Sequence, residues 1–449
     1  MTDETGQRTK RRPPRVLKGF RDYLPRQMIL RQRIIQTVRA IFERHGFEPL
    51  DTPALEYLEV LTGKAGENEK LMYQFADLGG REVGLRYDLT VPLARVVAMH
   101  QNDIVLPFKR YHIAPVWRAE NPQRGRFREF WQCDADVAGS ASMIADAEII
   151  SMIAESLTAL GLPKYTVLIS HRRLLAGLAQ AAGVPEDRAG TIYRSVDKLA
   201  KIGAEGVHRE MTDQGVDADA ARRVLDSVTI DGSPSAVLAQ LRDRLSEISG
   251  ALEAVDELQE LFALLPVFGV PSSAYRLELS LARGLDYYTG PVYEAVVDEP
   301  KVGSVAGAGR YDDLIGAFLG RSVPATGMSL GLERIIEVIQ EFDLLPVPAT
   351  VAESVVISTP ETVAQAANAA AHLRAAGLNV DFSLTPHRSF GDQLKYAGRK
   401  GIPVAVIVGS AEMEQGRATV KDLATGTQDT YSLEELADRV SQILARSAS

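Results

Sequence analysis

Arginines and carboxylates stand close together in residues 109–139, at spacings that could bind a ligand carrying charges of both signs. The basic positions include Arg118, Arg124, Arg126 and Arg128, and the acidic positions include Asp134 and Asp136. Guanidinium groups bind phosphate and carboxylates bind ammonium groups, so this stretch could hold a phosphate and an ammonium group side by side. A surface hairpin with solvated charges would contain the same residues, and the stretch alone leaves both interpretations open.

Two further arginines stand where a cation is costly unless an anion meets it. Arg283 has small and apolar neighbours next to a predicted sheet, so it needs an anionic ligand or an ion pair with a nearby acid such as Asp286. Arg334 is predicted to lie in the first turn of a helix that begins near Leu332, where a cation opposes the helix dipole. Binding of a polyphosphate would explain that position.

A strand leads into a helix at Asp88 and Thr90. Both residue types are favoured helix caps, and capping is the simpler interpretation. The functional alternative is that both side chains project into a pocket and hold a ligand amine. Tyr287 and Tyr288 are predicted to lie on a strand, where neighbours point to opposite sides, so only one of them is expected to face a given pocket.

Hydrophobic periodicity predicts the elements that position these residues. Residues 109–139 alternate on both sides of a turn-prone loop, AENPQRGR, which predicts a long antiparallel hairpin. Helices are predicted at 26–46 and 143–162, and a strand at 165–170. Residues 171–265 are largely helical and rich in charge. They form a predicted insertion that rests on a substrate or serves as a dimer or packing element.

The pattern changes near residue 350, after a predicted linker at 345–353. Strands there alternate with helices, which predicts a compact α/β domain with a mostly parallel sheet.

Composition narrows the class of protein. The chain has 449 residues and a net charge of −9, which excludes a protein that coats nucleic acid indiscriminately but allows local basic patches. A single cysteine, Cys133, excludes an intramolecular disulfide and fits a reducing, cytoplasmic compartment. The seven histidines show no ligand spacing, so no metal site is expected. No apolar run approaches the ~20 residues of a membrane span, and residues 1–17 are expected to be a flexible tail.

Three stretches resemble the motifs that class II aminoacyl-tRNA synthetases share. The first motif is resembled by HGFEPLDTPALE, with Pro53 at its proline. The second is resembled by VWRAENPQRGRFREFWQCDADV, with Arg118 and Glu120 at its arginine and glutamate. The third is resembled by GMSLGLERI, with Arg334 at its arginine.

Two more stretches resemble the signatures of the histidyl-tRNA synthetase family. They are RGLDYYTG at 283–290 and AGAGRYDDL at 306–314, which departs from the usual AGGRYDGL at Ala308 and Asp313. LRYDLTVPLAR resembles the eukaryote-like branch, which carries Asp where other members carry Glu. The C-terminal part resembles the class II anticodon-binding domain, most closely in QLKYAGRKGIPVAVIVG, and the whole resemblance covers 18–447.

The resemblance implies a fold and a reaction. The fold is an α+β catalytic core, an antiparallel sheet flanked by helices, in two parts at 18–170 and 266–344. The helical insertion 171–265 separates these parts, and an α/β anticodon-binding domain follows at 354–449. The implied reaction activates histidine with ATP to histidyl-adenylate and transfers it to tRNA(His). Mg²⁺ accompanies the ATP, and no organic prosthetic group is involved. Members are homodimers, with the first motif at the interface.

Site roles are implied residue by residue. For ATP, Arg118 binds the α-phosphate, Glu120 the adenine end, Arg334 the γ-phosphate, and Arg283 spans the histidine carboxylate and the α-phosphate. Arg118 and Arg283 are the implied catalytic residues. For histidine, Asp88, Thr90 and Gln132 hold the ammonium group, and Asp136 and Tyr288 read the imidazole with Tyr287 and Tyr311 nearby. Arg124 and Arg126 are expected to contact the acceptor end of tRNA.

Two alternative functions stay open. One is the catalytically silent regulatory subunit of ATP phosphoribosyltransferase, which shares the core. Residues 354–447 and the arginines Arg118, Arg283 and Arg334 argue against it, because such subunits typically lack the anticodon domain and parts of the catalytic set. The other is a tRNA-sensing binding protein, but such proteins usually carry a kinase domain for which this length leaves no room.

Overall fold

A computed structural model of the chain describes residues 13–62, 66–162, 164–282 and 287–447. The chain divides into two compact units: the first contains most of the residues up to Leu345, and the second contains the residues from Pro346 onward together with residues 23–32. Among the described residues, no helix is long and apolar enough to cross a membrane.

The strands of the first unit are long at the sheet centre and short at its edges. They are β1 (Glu48–Pro49), β2 (Leu55–Tyr57), β3 (Gln74–Ala76), β4 (Glu82–Leu85), β5 (Phe108–Trp117), β6 (Glu129–Ala138), β7 (Tyr165–His171), β8 (Tyr275–Leu277), β9 (Pro291–Val297), β10 (Ser304–Arg310) and β11 (Ala325–Gly331). The described strands form an eight-stranded sheet, ordered β1-β5-β6-β11-β10-β9-β7-β8, and a small sheet ordered β2-β4-β3. The predicted antiparallel sheet is confirmed at the centre of the large sheet, whereas edge strands β1 and β8 run parallel to their neighbours.

The helices before Pro346 lie before, between or after these strands in the chain, and residues 25–32 of the first helix group with the second unit. They are α1 (Pro25–Arg44), α2 (Leu58–Leu61), α3 (Thr90–Met99), α4 (Met143–Ala159), α5 (Arg172–Ala181), α6 (Glu186–Val196), α7 (Leu199–Asp213), α8 (Ala218–Val228), α9 (Pro234–Arg244), α10 (Ser249–Val267), α11 (Gly316–Leu319) and α12 (Leu332–Glu341). Helices α5 to α10 follow one another with no strand between them in the described residues, as the pattern over 171–265 predicts.

Strands β5 and β6 form the predicted hairpin. They pair antiparallel from Phe108 opposite Ala138 to Trp117 opposite Glu129. Pro115 lies within β5, which is possible because β1 covers the outer edge of β5 only at Arg110 and Tyr111, so no ladder donor is needed at Pro115. On its other side β6 pairs with β11, which makes β6 a central strand.

One row across the sheet combines charge with small residues. Arg110 on β5 lies opposite Asp136 on β6, Asp136 lies opposite Gly327 on β11, and Gly327 lies opposite Gly309 on β10. A Cβ at position 327 would lie 2.0 Å from an Asp136 oxygen, and a Cβ at 309 would lie 2.7 Å from the Tyr288 ring. Glycine is therefore required at both positions, because each lets a functional side chain lie directly over the sheet backbone.

The second unit has its own sheet and helices. Its elements are β12 (Ser354–Ser358), α13 (Val363–Ala375), β13 (Val380–Phe382), α14 (Phe390–Lys400), β14 (Val404–Val408), α15 (Ser410–Glu414), β15 (Arg417–Asp422), β16 (Gln428–Ser432) and α16 (Leu436–Ser447). The strand order is β13-β12-β14-β15-β16. The expectation of a mostly parallel sheet is wrong, because the β15–β16 hairpin adds two antiparallel pairings to the two parallel ones.

A hydrogen bond joins the end of β7 to helix α10. The fully buried His171 accepts the Arg173 amide N–H at Nδ1, so its neutral ring donates from Nε2 to Glu257 at 2.7 Å. Burial alone would raise the pKa of Glu257, but hydrogen bonds from His171 and Arg173 outweigh it and lower the pKa to about 2.

The Glu257→Gln substitution is expected to destabilise the protein at neutral pH. The loss of folding stability should become smaller as the pH falls. An acid whose folded-state pKa is depressed contributes stability above its ordinary pKa of 4.5, and that contribution is lost as the pH falls towards the folded value. Thermal unfolding of wild type and variant at about pH 7 and at about pH 3 would test this. The difference between their unfolding midpoints should be smaller at about pH 3 than at about pH 7. A difference of equal size at both pH values would contradict this assignment.

Candidate active site

The side chains of β6 alternate in direction, which places three polar ones on one face of the sheet, here called the charged face. Gln132, Asp134 and Asp136 are all buried and share this face because successive strand residues point to opposite sides. Gln132 donates from Nε2 to the hydroxyl of Ser329 on β11 at 2.6 Å. Cys133 is buried and lies on the opposite face.

The junction between β4 and α3 brings Asp88 and Thr90 to the same region. Asp88 Oδ1 accepts the Val91 amide N–H at 3.0 Å, so the capping interpretation is correct for Asp88. Its other oxygen lies 3.5 Å from the Tyr287 hydroxyl, and Thr90 also hydrogen-bonds Tyr287. Burial raises the pKa of Asp88 to about 6. Helix capping therefore leaves one carboxylate oxygen for a ligand.

Three tyrosines cluster above the row of the sheet that contains Gly309 and Gly327. The Tyr287 ring centroid lies 5.0 Å from that of Tyr288 and 5.8 Å from that of Tyr311. The expectation that Tyr287 and Tyr288 point to opposite sides is wrong, because the next strand begins only at Pro291 and strand alternation does not apply before it. Both rings therefore belong to one aromatic wall.

Asp136 is held from two directions. Tyr311 donates its hydroxyl to Oδ1, and Arg110 Nη2 lies 2.8 Å from Oδ2. Burial raises the pKa of Asp136, while Arg110 and Tyr311 act in the opposite direction. Burial likewise raises the pKa of the neighbouring Asp134 to about 8, against the field of Arg110. Together with Asp88, this face contains three buried carboxyl groups, whose ionised forms an added cation would stabilise.

Arg110 and Ser329 were not among the residues singled out in the sequence. The signal for Arg110 was available in principle, because a hairpin with the predicted loop places it directly opposite Asp136. Ser329 carries no such signal, since it reaches Gln132 only through the pairing of β6 with β11, strands far apart in the chain.

Arg118 follows β5 and lies next to the carboxyl cluster. Its Nε donates to the Tyr87 carbonyl at 2.9 Å, and its guanidinium lies 5.2 Å from the centroid of the Phe130 ring. Because Tyr87 directly precedes Asp88, the Arg118 cation and the Asp88 carboxylate are neighbours. Glu120 pairs with Arg126 at 3.0 Å.

Arg334 lies in the first turn of α12, as predicted. Its Nη1 donates to the Ser304 carbonyl at 2.5 Å. The hairpin loop approaches it closely at Gly125, where a Cβ would lie 3.3 Å from the Arg334 side chain. The hairpin loop and the start of α12 therefore lie side by side.

The loop residue Arg124 is docked on the same helix. It pairs with Glu337 at 3.0 Å and with Glu341 at 2.7 Å, although just over half of its side chain is exposed. Pairs of this kind are weak and screened by salt, so Arg124 can exchange these partners for phosphate.

Arg283 and Asp286 lie outside the described residues, so the predictions about them rest on the sequence. Within the described ranges, no three His, Cys, Asp or Glu side chains come together in an arrangement that could hold a metal ion.

Two family models match the chain, one described as histidyl-tRNA synthetase over residues 19–335 and one as anticodon binding domain over 351–443. Histidine–tRNA ligase of Aeropyrum pernix is 45% identical, covering 96% of this chain and 98% of the relative. The histidine–tRNA ligase of Rhodopirellula baltica is 42% identical, and the alignment covers 97% of this chain and 99% of the relative. The crystal structure of histidyl-tRNA synthetase from Nostoc sp. has a TM-score of 0.85 at 33% identity, covering 96% of this chain and all of the other.

The fold and the site define a class II aminoacyl-tRNA synthetase: a large sheet flanked by helices, a charged face on that sheet, and a separate anticodon-binding domain. The chain belongs to the histidyl-tRNA synthetase family.

Proposed function

We propose that the protein attaches histidine to tRNA(His) in two steps. In the first, a histidine carboxylate oxygen bonds to the α-phosphorus of ATP as the bond to pyrophosphate breaks. In the second, a terminal ribose hydroxyl of the tRNA bonds to the histidyl carbonyl carbon and AMP leaves. Family membership over nearly the full length supports this function over that of a silent regulatory subunit.

The observation that carries the proposal is the contact of Arg118 with the backbone next to Asp88. With the histidine ammonium group on Asp88, Thr90 and Gln132, the carboxylate would lie towards Arg118 and an α-phosphate bound there. Holding two reactants at such a spacing removes much of the entropic barrier to their reaction.

Binding of ATP would depend on charge neutralisation more than on covalent chemistry. Arg118 would bind the α-phosphate, Arg334 the γ-phosphate, and Glu120 the adenine end. The resemblance adds Arg283 between the histidine carboxylate and the α-phosphate. Mg²⁺ would enter bound to the phosphates of ATP, as part of that substrate.

Recognition of the imidazole would use polar partners on both of its edges. An imidazole carries a donor and an acceptor, and Asp136, Tyr288, Tyr287 and Tyr311 surround the proposed position. A pocket built for such hydrogen bonds rejects side chains that cannot make them by ~10⁴–10⁵.

The direct test is ATP–pyrophosphate exchange with purified protein. Exchange is expected with histidine and is expected to be absent with the other amino acids. A silent subunit or a purely tRNA-sensing protein would show no exchange. Equal exchange with several amino acids would contradict the proposed specificity.

Contact with the acceptor end of tRNA is assigned to Arg124 and Arg126. The Arg124→Ala substitution is expected to raise the KM for tRNA(His) several-fold in aminoacylation, because one phosphate contact is lost. The effect should weaken at higher salt, and histidine-dependent exchange should stay near the wild-type rate. A change in exchange alone would contradict the tRNA role.

A homodimer is proposed on the basis of an apolar face of the small sheet. Leu55 and Tyr57 on β2 and Phe75 on β3 point to one side by register and are 40%, 52% and 48% exposed. An apolar patch of this kind typically marks an interface, and it lies within and beside the stretch that resembles the first class II motif. Light scattering of the purified protein would give the mass, and a monomer at micromolar concentration would contradict the proposal.

A cytoplasmic location is also proposed. It is supported by the use of a single cysteine, which is buried and free. Fractionation of cells that express the full chain would test it.

A further inference from the structure

Arg110 lies at the centre of the charged face and is fully buried. Its Nη2 lies 2.8 Å from Asp136 Oδ2 and donates to the Leu89 carbonyl at 3.0 Å. Leu89 stands between Asp88 and Thr90. One nitrogen therefore joins the segment proposed to hold the histidine ammonium group to the carboxylate proposed to read the imidazole.

Stability alone does not account for a guanidinium at this position. Taking two charges out of water costs about as much as their attraction returns, and well-packed apolar residues are often as stabilising as a buried ion pair. Within the described residues, Nε and Nη1 of Arg110 are buried without a hydrogen-bond partner, which adds to the cost. The presence of an arginine at position 110 therefore needs an explanation other than stability.

The surroundings of Arg110 supply that reason. Asp136 Oδ1 accepts a hydrogen bond from Tyr311, and Oδ2 forms an ion pair with Arg110 Nη2 at 2.8 Å. The absence of a side chain at Gly327 leaves the space that this carboxylate occupies. The link to Leu89 fixes the distance from this carboxylate to Asp88. Histidine has to contact both groups at once, so an error in that distance would weaken one of the two contacts.

We infer that Arg110 is a positioning residue for histidine: its buried guanidinium sets the spacing between the ammonium-binding segment Asp88–Thr90 and the imidazole-reading Asp136. The inference rests on the proposed function. It assigns Arg110 to the selection and binding of the amino acid, and it assigns no role to Arg110 in binding ATP.

The test is steady-state exchange kinetics on the full chain with Arg110→Met, which preserves much of the side-chain volume and removes the charge. The KM for histidine is expected to rise by about 10- to 100-fold, the range for loss of a charge-assisted hydrogen bond. The KM for ATP should change little. Histidinol keeps the ammonium group and the imidazole but lacks the carboxylate, so its inhibition constant should rise by the same factor as the KM for histidine.

Arg86→Met is the matched control. Arg86 is also buried, but its guanidinium donates to the carbonyls of Thr52 and Pro115 and touches neither Leu89 nor Asp136. An equal rise in the histidine KM for both variants, or a loss confined to kcat in Arg110→Met, would overturn the inference. Arg110→Lys keeps a cation on a shorter side chain and should show a smaller rise in the KM for histidine, again with little change in the KM for ATP. This variant provides the test if Arg110→Met does not fold. Wild-type protein without histidine-dependent exchange would instead refute the proposed function itself.

Discussion

Replacing Arg118 with alanine is expected to lower histidine-dependent ATP–pyrophosphate exchange by about 100- to 1000-fold, the loss that follows removal of one donor to transition-state charge. Arg118 is half-buried, and its Nε is anchored on the Tyr87 carbonyl. That anchoring holds the guanidinium before ATP arrives, so no reorganisation is needed when charge develops at the α-phosphorus. The effect should fall mainly on kcat.

Arg118→Lys should recover only part of the rate, because lysine cannot keep the carbonyl anchor and contact a phosphate in the planar geometry of arginine. Arg242→Ala provides a control, since Arg242 lies on α9 and pairs with Asp256, away from the charged face. Thermal unfolding of both alanine variants separates a catalytic loss from a folding defect. Exchange by Arg118→Ala within a few-fold of wild type would remove Arg118 from the proposed mechanism.

The second large effect is expected at Gly327, a residue with no functional group. A Cβ there would lie 2.0 Å from Asp136 Oδ1 and 2.5 Å from its carboxyl carbon. Because β6 and β11 are paired along their length, the backbone cannot yield, and Asp136 has to rotate away from Arg110 and Tyr311. Gly327→Ala is therefore expected to raise the KM for histidine by at least about 100-fold, since a buried charge pair is broken at the same time.

The matched control lies on the same strand. At Gly331 the nearest atoms to a new Cβ are 3.7 Å and 4.0 Å away, and its φ of −82° suits any residue. Gly331→Ala should bind histidine nearly as well as wild type. If the two alanine variants behave alike, the crowding at Asp136 is not what limits binding.

Much of the framework follows from local patterns in the sequence. Alternation on both sides of a turn-prone loop predicts the hairpin 109–139, and the helix start near Leu332 is set by the change from small residues to helical periodicity. These features depend on neighbours in the chain, which is why they could be predicted. The resemblance to a known family supplied the roles of the site residues, and for Arg283 it remains the only support.

The details that the sequence could not give depend on contacts between distant segments. Tyr287 and Tyr288 share one wall because their strand begins later than its pattern suggests. Arg110 donates to the carbonyl of Leu89, 21 residues earlier in the chain, which local periodicity does not indicate. The antiparallel pairing of β15 with β14 depends on which edge of the sheet the β15–β16 hairpin joins, and local periodicity does not indicate that edge.

Strand β6 has a further consequence for the dynamics of the protein. It is hydrogen-bonded on one side to β5 and on the other to β11, so its amides can exchange with solvent only when the middle of the sheet opens. Amide exchange along Gln132–Asp136 is therefore expected to be among the slowest in the first unit. The backbone that carries Gln132, Asp134 and Asp136 is therefore expected to stay fixed on the timescale of turnover, and adaptation to a bound ligand is expected to come from the segments around it.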